Sequence, residues 1–139
     1  MNITLYYSSI ILGACIVSIS LWMKYTPKML YLYSITFLAI ITSILNHGSS
    51  NMYYKLFDRF VIYIAAIVYL YYIFLIKLSL HKAVALSMIM AMILLYFYSK
   101  YVKNRKNKSR NNAYSYTHIH LLCHIISVWL FYILASHSI

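Results

Sequence analysis

Five stretches of the sequence are each long and apolar enough to cross the hydrocarbon core of a bilayer as a helix, which takes about 20 residues. These predicted spans cover residues 4–23, 29–46, 58–76, 83–99 and 117–136. Apolar residues make up 64% of the 139-residue chain and charged residues only 9%, and a soluble domain of this size has too small an interior to bury so many apolar side chains. We therefore predict an all-α integral membrane bundle of about five transmembrane helices, with residues 1–139 forming a single transmembrane domain.

The basic residues predict how this multi-pass chain is oriented. All twelve lysines and arginines lie between or at the ends of the predicted spans. Eight fill or flank the segments 48–57 and 100–116, and the other four lie in the alternate loops: Lys24, Lys28, Lys77 and Lys82. Because alternate loops share one side of a membrane, the positive-inside rule places the N-terminus and both segments on the cytoplasmic side, or its equivalent in another membrane.

A formal charge of +11 raises the question of nucleic-acid binding. The basic run 100–110 has one aromatic residue, Tyr101, and belongs to no recognisable nucleic-acid-binding domain. We expect it to form a solvated loop that meets anionic lipid headgroups, and we expect no nucleic-acid partner.

Ionisable side chains within membrane spans are costly to insert, so each one is a functional hypothesis. His120 and His124 are four residues apart, which places both imidazoles on one helical face where they can bind one metal ion, most naturally zinc. Ser43 and His47 have the same spacing, although a serine in a membrane helix also serves in helix packing.

Asp58 is the only acidic residue of the chain and lies at the start of the third predicted span. A purely structural interpretation makes it an N-terminal helix cap paired with Arg59. The alternative is a functional carboxylate, because Asp58 lies at the same predicted membrane face as the candidate histidines. Both interpretations are compatible with the sequence.

Topology predicts that the candidate residues meet. The second span ends just before His47, the third begins at Asp58, and the fifth begins just before His120. The fourth span returns the chain to the same side. Three neutral histidines (His47, His120 and His124) then fill three positions of a tetrahedral zinc site and leave the fourth to water, as in catalytic zinc sites.

Such a site predicts a hydrolase. Zinc makes hydroxide available near neutral pH. We expect Asp58 to orient the water or to accept its proton, and Ser43 to hydrogen-bond the metal-bound species or the oxyanion that forms on a substrate carbonyl. The predicted reaction is hydrolysis of an amide or ester bond in a membrane lipid.

The order Ser43-x3-His47, Asp58 eleven residues after that histidine, and His120-x3-His124 resembles the CREST superfamily of membrane hydrolases, which includes the alkaline ceramidases and the progestin and adiponectin receptor family. The spacings are most similar to the alkaline ceramidases, and the basic-side topology is more similar to the adiponectin receptor branch. The resemblance implies zinc held by the three histidines, a site completed by Asp58 and Ser43, and a ceramide-like substrate.

The chain departs from that superfamily in length and in span number. Members have seven spans and are nearly twice as long, and three spans rather than one separate the Asp and His-x3-His helices. Loss of an even number of helices preserves the sidedness of the site. Fewer helices enclose less volume, so the lipid-binding chamber is expected to be smaller.

Two other functions are compatible with the sequence. A haem or quinone membrane anchor subunit is one, because succinate dehydrogenase anchors also place a haem-ligating histidine eleven residues before an aspartate. Here, however, Arg59 stands where the small anchor subunit has a tyrosine, and bis-histidine ligation of haem leaves one of three histidines idle. The other is a noncatalytic accessory subunit of a larger membrane complex, in which the 17 tyrosines and many apolar residues pack against neighbours and lipid.

Overall fold

The computed structural model describes residues 2–104 and 110–138. This part of the chain contains five α-helices and one short 3-10 turn at Pro27–Met29. The helices are α1 (Ile3–Trp22), α2 (Leu30–Gly48), α3 (Met52–Leu75), α4 (Ser79–Asn104) and α5 (Arg110–His137). All five are long and apolar enough to cross a membrane, so the predicted all-α membrane bundle of five spans is confirmed.

Several helices extend beyond the predicted apolar spans, and the largest differences are at the starts of α5 and α3. Asn51 caps α3 by accepting a hydrogen bond from the Tyr53 backbone N–H at 2.9 Å, so helical structure begins at Met52 rather than at 58. Aromatic and basic side chains at a membrane interface lower the local hydropathy without ending a helix. The interpretation of Asp58 as a helix cap is therefore wrong, because Asp58 lies within α3.

The two segments predicted as basic loops are also shorter than expected. Only residues 49–51 connect α2 to α3, and most of the segment 48–57 is helical. In the run 100–110, Lys100 and Lys103 belong to the last turns of α4. The predicted solvated loop then falls on residues 105–109, which lie outside the described residues.

The order of the helices around the bundle follows the chain, and consecutive helices run antiparallel. α1 packs between α2 and α5, α2 packs against α3, and α5 packs against α4. Gly13 lets α1 and α2 approach closely, because a Cβ atom there would lie 2.9 Å from Ile40 Cγ2. α3 and α4 pack less closely than any other consecutive pair, which makes their contact the loosest seam of the bundle.

Polar and apolar side chains are segregated along the bundle axis. We call the end where α2 meets α3 the histidine face and the end where α3 meets α4 the opposite face. The buried apolar core lies mainly toward the opposite face and includes Leu32, Tyr72, Ile73, Ile89, Leu130, Phe131 and Leu134. The buried polar side chains in the half nearer the histidine face are Ser8, Ser9, Thr42, Ser43, His47, Asp58, Ser99 and His124. Burial of so many polar groups at one end of a lipid-embedded bundle marks that end as the candidate site.

Candidate functional site

Three imidazoles converge near the histidine face and form what we call the histidine cluster. His47 comes from the last turn of α2, and His120 and His124 lie one turn apart on α5. One ring nitrogen from each residue lies within 4.8 Å of the corresponding nitrogens of the other two. The ring centroids are 5.0, 5.1 and 6.1 Å apart. Three nitrogen donors at these distances can bind one metal ion with small side-chain adjustments.

One buried nitrogen of the cluster has no hydrogen-bond partner in the described part of the chain. His47 is only 7% exposed, and its Nε2 is buried without a partner. A buried polar atom left unpaired costs free energy, which a bound partner would recover. A metal ion shared with the two histidines of α5 would satisfy this atom, and the donor set therefore fits a metal.

A serine of α1 sets the orientation of His124. Ser8 Oγ lies 2.9 Å from His124 Nδ1 and donates its own hydrogen to the Leu5 carbonyl oxygen, also at 2.9 Å. With the serine hydrogen donated to the carbonyl, Nδ1 carries the imidazole hydrogen and donates it to Ser8. Nε2 of His124 is thereby left as a free acceptor, which is how outer hydrogen bonds prepare metal-ligating histidines.

The Asp58 carboxylate is held by two side chains of α2. Its Oδ1 accepts a hydrogen bond from Thr42 Oγ1 at 3.1 Å, and its Oδ2 accepts one from Asn46 Nδ2 at 2.6 Å. Asp58 is 4% exposed, and no described hydrogen bond joins it to a histidine of the cluster. A carboxylate has about four acceptor positions, so two remain available to a molecule in the adjoining cavities.

Ser43 lies one turn before His47 on α2, as its spacing predicted, but its contact is with α1. Its hydroxyl lies 3.0 Å from Ser9 Oγ. Ser43 also lines an apolar cavity together with His120 and His124. Ser43 is therefore close to the cluster, with its hydroxyl paired to Ser9.

Two cavities meet at the histidine cluster. The polar cavity, about 330 Å³, lies near residues 49–51, which connect α2 to α3, and contains His47 in its wall. The apolar cavity, about 310 Å³, extends into the bundle and is lined from all five helices, with His124 in its wall. Asp58, Ile62, Tyr96 and His120 line both cavities. A molecule with a polar and an apolar part can thus place the junction of the two beside the cluster.

The sequence interpretation missed several residues that support this site. Ser8 orients His124, and Thr42 and Asn46 hold Asp58. The pair Thr42 and Asn46 has the same four-residue spacing as Ser43 and His47, so the signal was present on the neighbouring face of α2. The signal for Ser8 was weaker, being one polar residue among several in an apolar helix.

Asn2 is a further missed residue, and it joins three helices at the histidine face. Its backbone N–H donates to the His47 carbonyl oxygen at 3.3 Å. Its side chain accepts from the Leu5 backbone N–H at 3.2 Å and donates to Thr117 Oγ1 at 3.2 Å. Asn2 thereby connects the start of α1 to both helices that carry the cluster.

Comparisons of the chain with protein-family models, with curated proteins and with solved structures found no match.

Proposed function

We propose that this protein is a zinc-dependent membrane hydrolase that cleaves an amide or ester bond in a lipid, with a site of the kind found in the CREST superfamily that the sequence resembles. One observation carries the proposal: three imidazoles converge at the junction of a polar and an apolar cavity, beside the only carboxylate of the chain. A lipid with its scissile bond between a polar headgroup and an acyl chain has the matching distribution of polarity.

Zinc is the metal that this donor set favours. Three neutral imidazoles and no thiolate form the ligand set of catalytic zinc sites, which keep a fourth position open. Zinc in such a site acts as a Lewis acid and makes water nucleophilic near neutral pH. His47, His120 and His124 would hold the ion, and Ser8 would keep His124 in the ligating tautomer.

The remaining chemistry is assigned to Asp58 and Ser43. Water adds to the carbonyl carbon of the lipid, and Asp58 accepts the proton that the water loses. The Ser43 hydroxyl turns from Ser9 and donates a hydrogen bond to the oxyanion that develops on the carbonyl oxygen. The bond from the carbonyl carbon to nitrogen or oxygen then breaks, and the proton passes to the leaving amine or alcohol. The products are a fatty acid and an amine or an alcohol.

The apolar cavity would hold the acyl chain, and its walls suggest a route for the lipid. Tyr63 of α3 and Phe97 of α4 line this cavity and are also 52% and 56% exposed on the outside of the bundle. They lie on the two helices that form the loosest seam. A lipid would enter between α3 and α4 without leaving the bilayer. The positive-inside rule places the site at the cytoplasmic side of the host membrane or its equivalent.

Metal analysis and a lipid assay on the purified protein test this function. We expect one zinc ion per chain by inductively coupled plasma mass spectrometry, and release of a fatty acid from a ceramide or a comparable lipid ester. Removal of zinc with 1,10-phenanthroline should abolish release, and added zinc should restore it. A haem absorption band without zinc would instead identify an anchor subunit. Absence of metal, haem and turnover would favour an accessory subunit.

A further inference from the structure

The wall of the polar cavity carries an unusual excess of positive charge. Four basic side chains line this cavity, and we call them the basic quartet: Lys55 and Arg59 of α3, and Lys100 and Lys103 of α4. The only acidic residue that could offset them is Asp58, whose carboxylate accepts hydrogen bonds from two neutral side chains of α2. Four cations thus share one small cavity with one carboxylate.

The quartet is positioned beside the histidine cluster. Lys103 is close enough to Lys55 and Arg59 on the facing helix for their like charges to repel one another. Its charge also acts on the rings of His47 and His120. The ammonium group of Lys103 lies 4.9 Å from the centre of the Tyr116 ring. Lys100 lies 4.6 Å from the centre of the Tyr96 ring in the same way. Both tyrosines line the polar cavity, so these cation–π contacts keep the lysines at its wall.

Membrane topology alone does not account for this arrangement. The positive-inside rule concerns the number of basic residues on one side and not their convergence on one cavity. The basic residues of the opposite face provide the contrast, because Lys24, Lys28, Lys77 and Lys82 line neither cavity. Lys100 is half-buried and the other three members are exposed at the cavity rim. Like charges gathered there create a positive potential that attracts an anion.

We propose that the polar cavity binds the phosphate group of an anionic lipid substrate, and that the basic quartet holds this group above the histidine cluster. The inference rests on the proposed hydrolase function and adds the substrate class to it. Arginine and lysine are the usual phosphate ligands of proteins, through charge-assisted hydrogen bonds. The acyl chain would then occupy the apolar cavity, with the amide or ester bond at the junction. The neutral headgroup of ceramide leaves the quartet without a counter-ion, so a phosphorylated lipid fits better.

Native mass spectrometry of the protein in a nonionic detergent tests binding without a charged bilayer. The probes are phosphatidic acid and diacylglycerol with the same acyl chains, and ceramide 1-phosphate with its matched ceramide. We expect each phosphorylated lipid to be retained at least about tenfold better than its neutral partner, as charge-assisted contacts predict. The double variant Arg59→Gln/Lys103→Gln should abolish this preference.

A matched control removes the same charge from the opposite face. The variant Lys77→Gln/Lys82→Gln should keep the full preference for phosphorylated lipids. Equal losses in both double variants would show that only net charge matters and would overturn the proposal. Inorganic phosphate should not displace the lipid at comparable concentrations, and displacement would show that the cavity binds free phosphate instead.

Hydrolysis measured beside binding separates this inference from the proposed function. We expect faster acid release from ceramide 1-phosphate than from ceramide, and loss of that difference in Arg59→Gln/Lys103→Gln. Preferential binding without any hydrolysis would contradict the hydrolase function but keep the phosphate site. Hydrolysis of both lipids with no preference in binding would contradict the phosphate site but keep the hydrolase function.

Discussion

The protein has two groups of histidines at opposite faces of the membrane bundle, and among the described residues only one of them brings together three possible metal ligands. The histidine cluster joins His47 to two residues of α5. The other group, which we call the histidine pair, consists of His81 near the start of α4 and His137 at the end of α5, with ring centroids 4.0 Å apart. Each group contains a buried ring nitrogen without a hydrogen-bond partner, Nε2 of His47 and Nδ1 of His81.

The two groups differ in donor number and in surroundings. The cluster has three donors, a serine that sets one tautomer, a carboxylate nearby and two cavities. Within the described residues, no third histidine, cysteine or carboxylate joins the pair, and neither cavity reaches it. An unpaired buried nitrogen is therefore insufficient evidence for a metal. The number of converging donors and the access of substrate make the difference.

The largest effect expected is that zinc is lost when a histidine of the cluster is replaced but not when a histidine of the pair is replaced. His120→Ala removes one of three donors, so zinc content should fall from one ion per chain to nearly none and hydrolysis to background. His81→Ala should leave both unchanged, as should His118→Ala, which alters an exposed histidine of α5. Zinc analysis of the three purified variants checks this prediction, and equal zinc loss in His81→Ala would refute the distinction between the two groups.

The next largest effect is expected on hydrolysis when Asp58 is replaced, since the histidine pair has no such carboxylate beside it among the residues that the structure describes. Asp58→Asn preserves the shape of the side chain and removes its basicity, so we expect hydrolysis to fall by about 10²- to 10⁴-fold. Zinc content should stay at one ion per chain, because Asp58 is not among the three converging donors. Steady-state hydrolysis and metal analysis on the same preparation separate the two effects. Full activity in Asp58→Asn would remove this residue from the mechanism.

A smaller effect is expected from the serine behind His124. Ser8→Ala removes the acceptor for the Nδ1 hydrogen and should weaken zinc binding by about 10- to 100-fold. Ser18→Ala is the matched control, because Ser18 also donates to a carbonyl of α1 but is exposed and remote from the cluster. Competition with a zinc-chelating dye measures both affinities. The role assigned to Ser8 does not survive if the two variants bind zinc equally well.

The smallest effect should come from the pair itself. His81→Phe removes the unpaired Nδ1 and keeps an aromatic ring against His137, so we expect stability to rise by about 1 kcal/mol. Such a change raises the melting temperature in detergent by a few degrees, as measured by thermal unfolding. A marked loss of stability would mean that His81 has a partner or a function that the pair, as described, does not explain.

Much of the architecture was predictable because it depends on only two properties of the sequence, the hydropathy of each segment and the number of spans between segments. Hydropathy identifies the spans, and the parity of the spans places the end of α2, the start of α3 and the start of α5 at one face. This is why His47, Asp58 and His120 were expected near one another. The helix ends were less predictable, because hydropathy falls before the helix stops and the Asn51 cap lies in a polar segment.

The partners of the site residues were not predictable in the same way. Contacts such as Ser8 with His124, or Asn46 with Asp58, depend on which helices are neighbours and on the rotation of each about its axis. These quantities are set by how side chains interlock between helices, and many rotations bury a similar apolar area. The hydropathy of the sequence is the same for every rotation, so it cannot identify which side chains meet.

The sequence by itself determined that this chain is a five-helix membrane protein and which face carries its candidate site, because the partition of apolar residues into lipid and the alternation of sides need no tertiary information. Only the tertiary structure decided how closely the three imidazoles approach one another, that a polar and an apolar cavity meet there, and that the basic quartet lines the polar cavity. Those features arise from distances between helices, and distances between helices are fixed by packing.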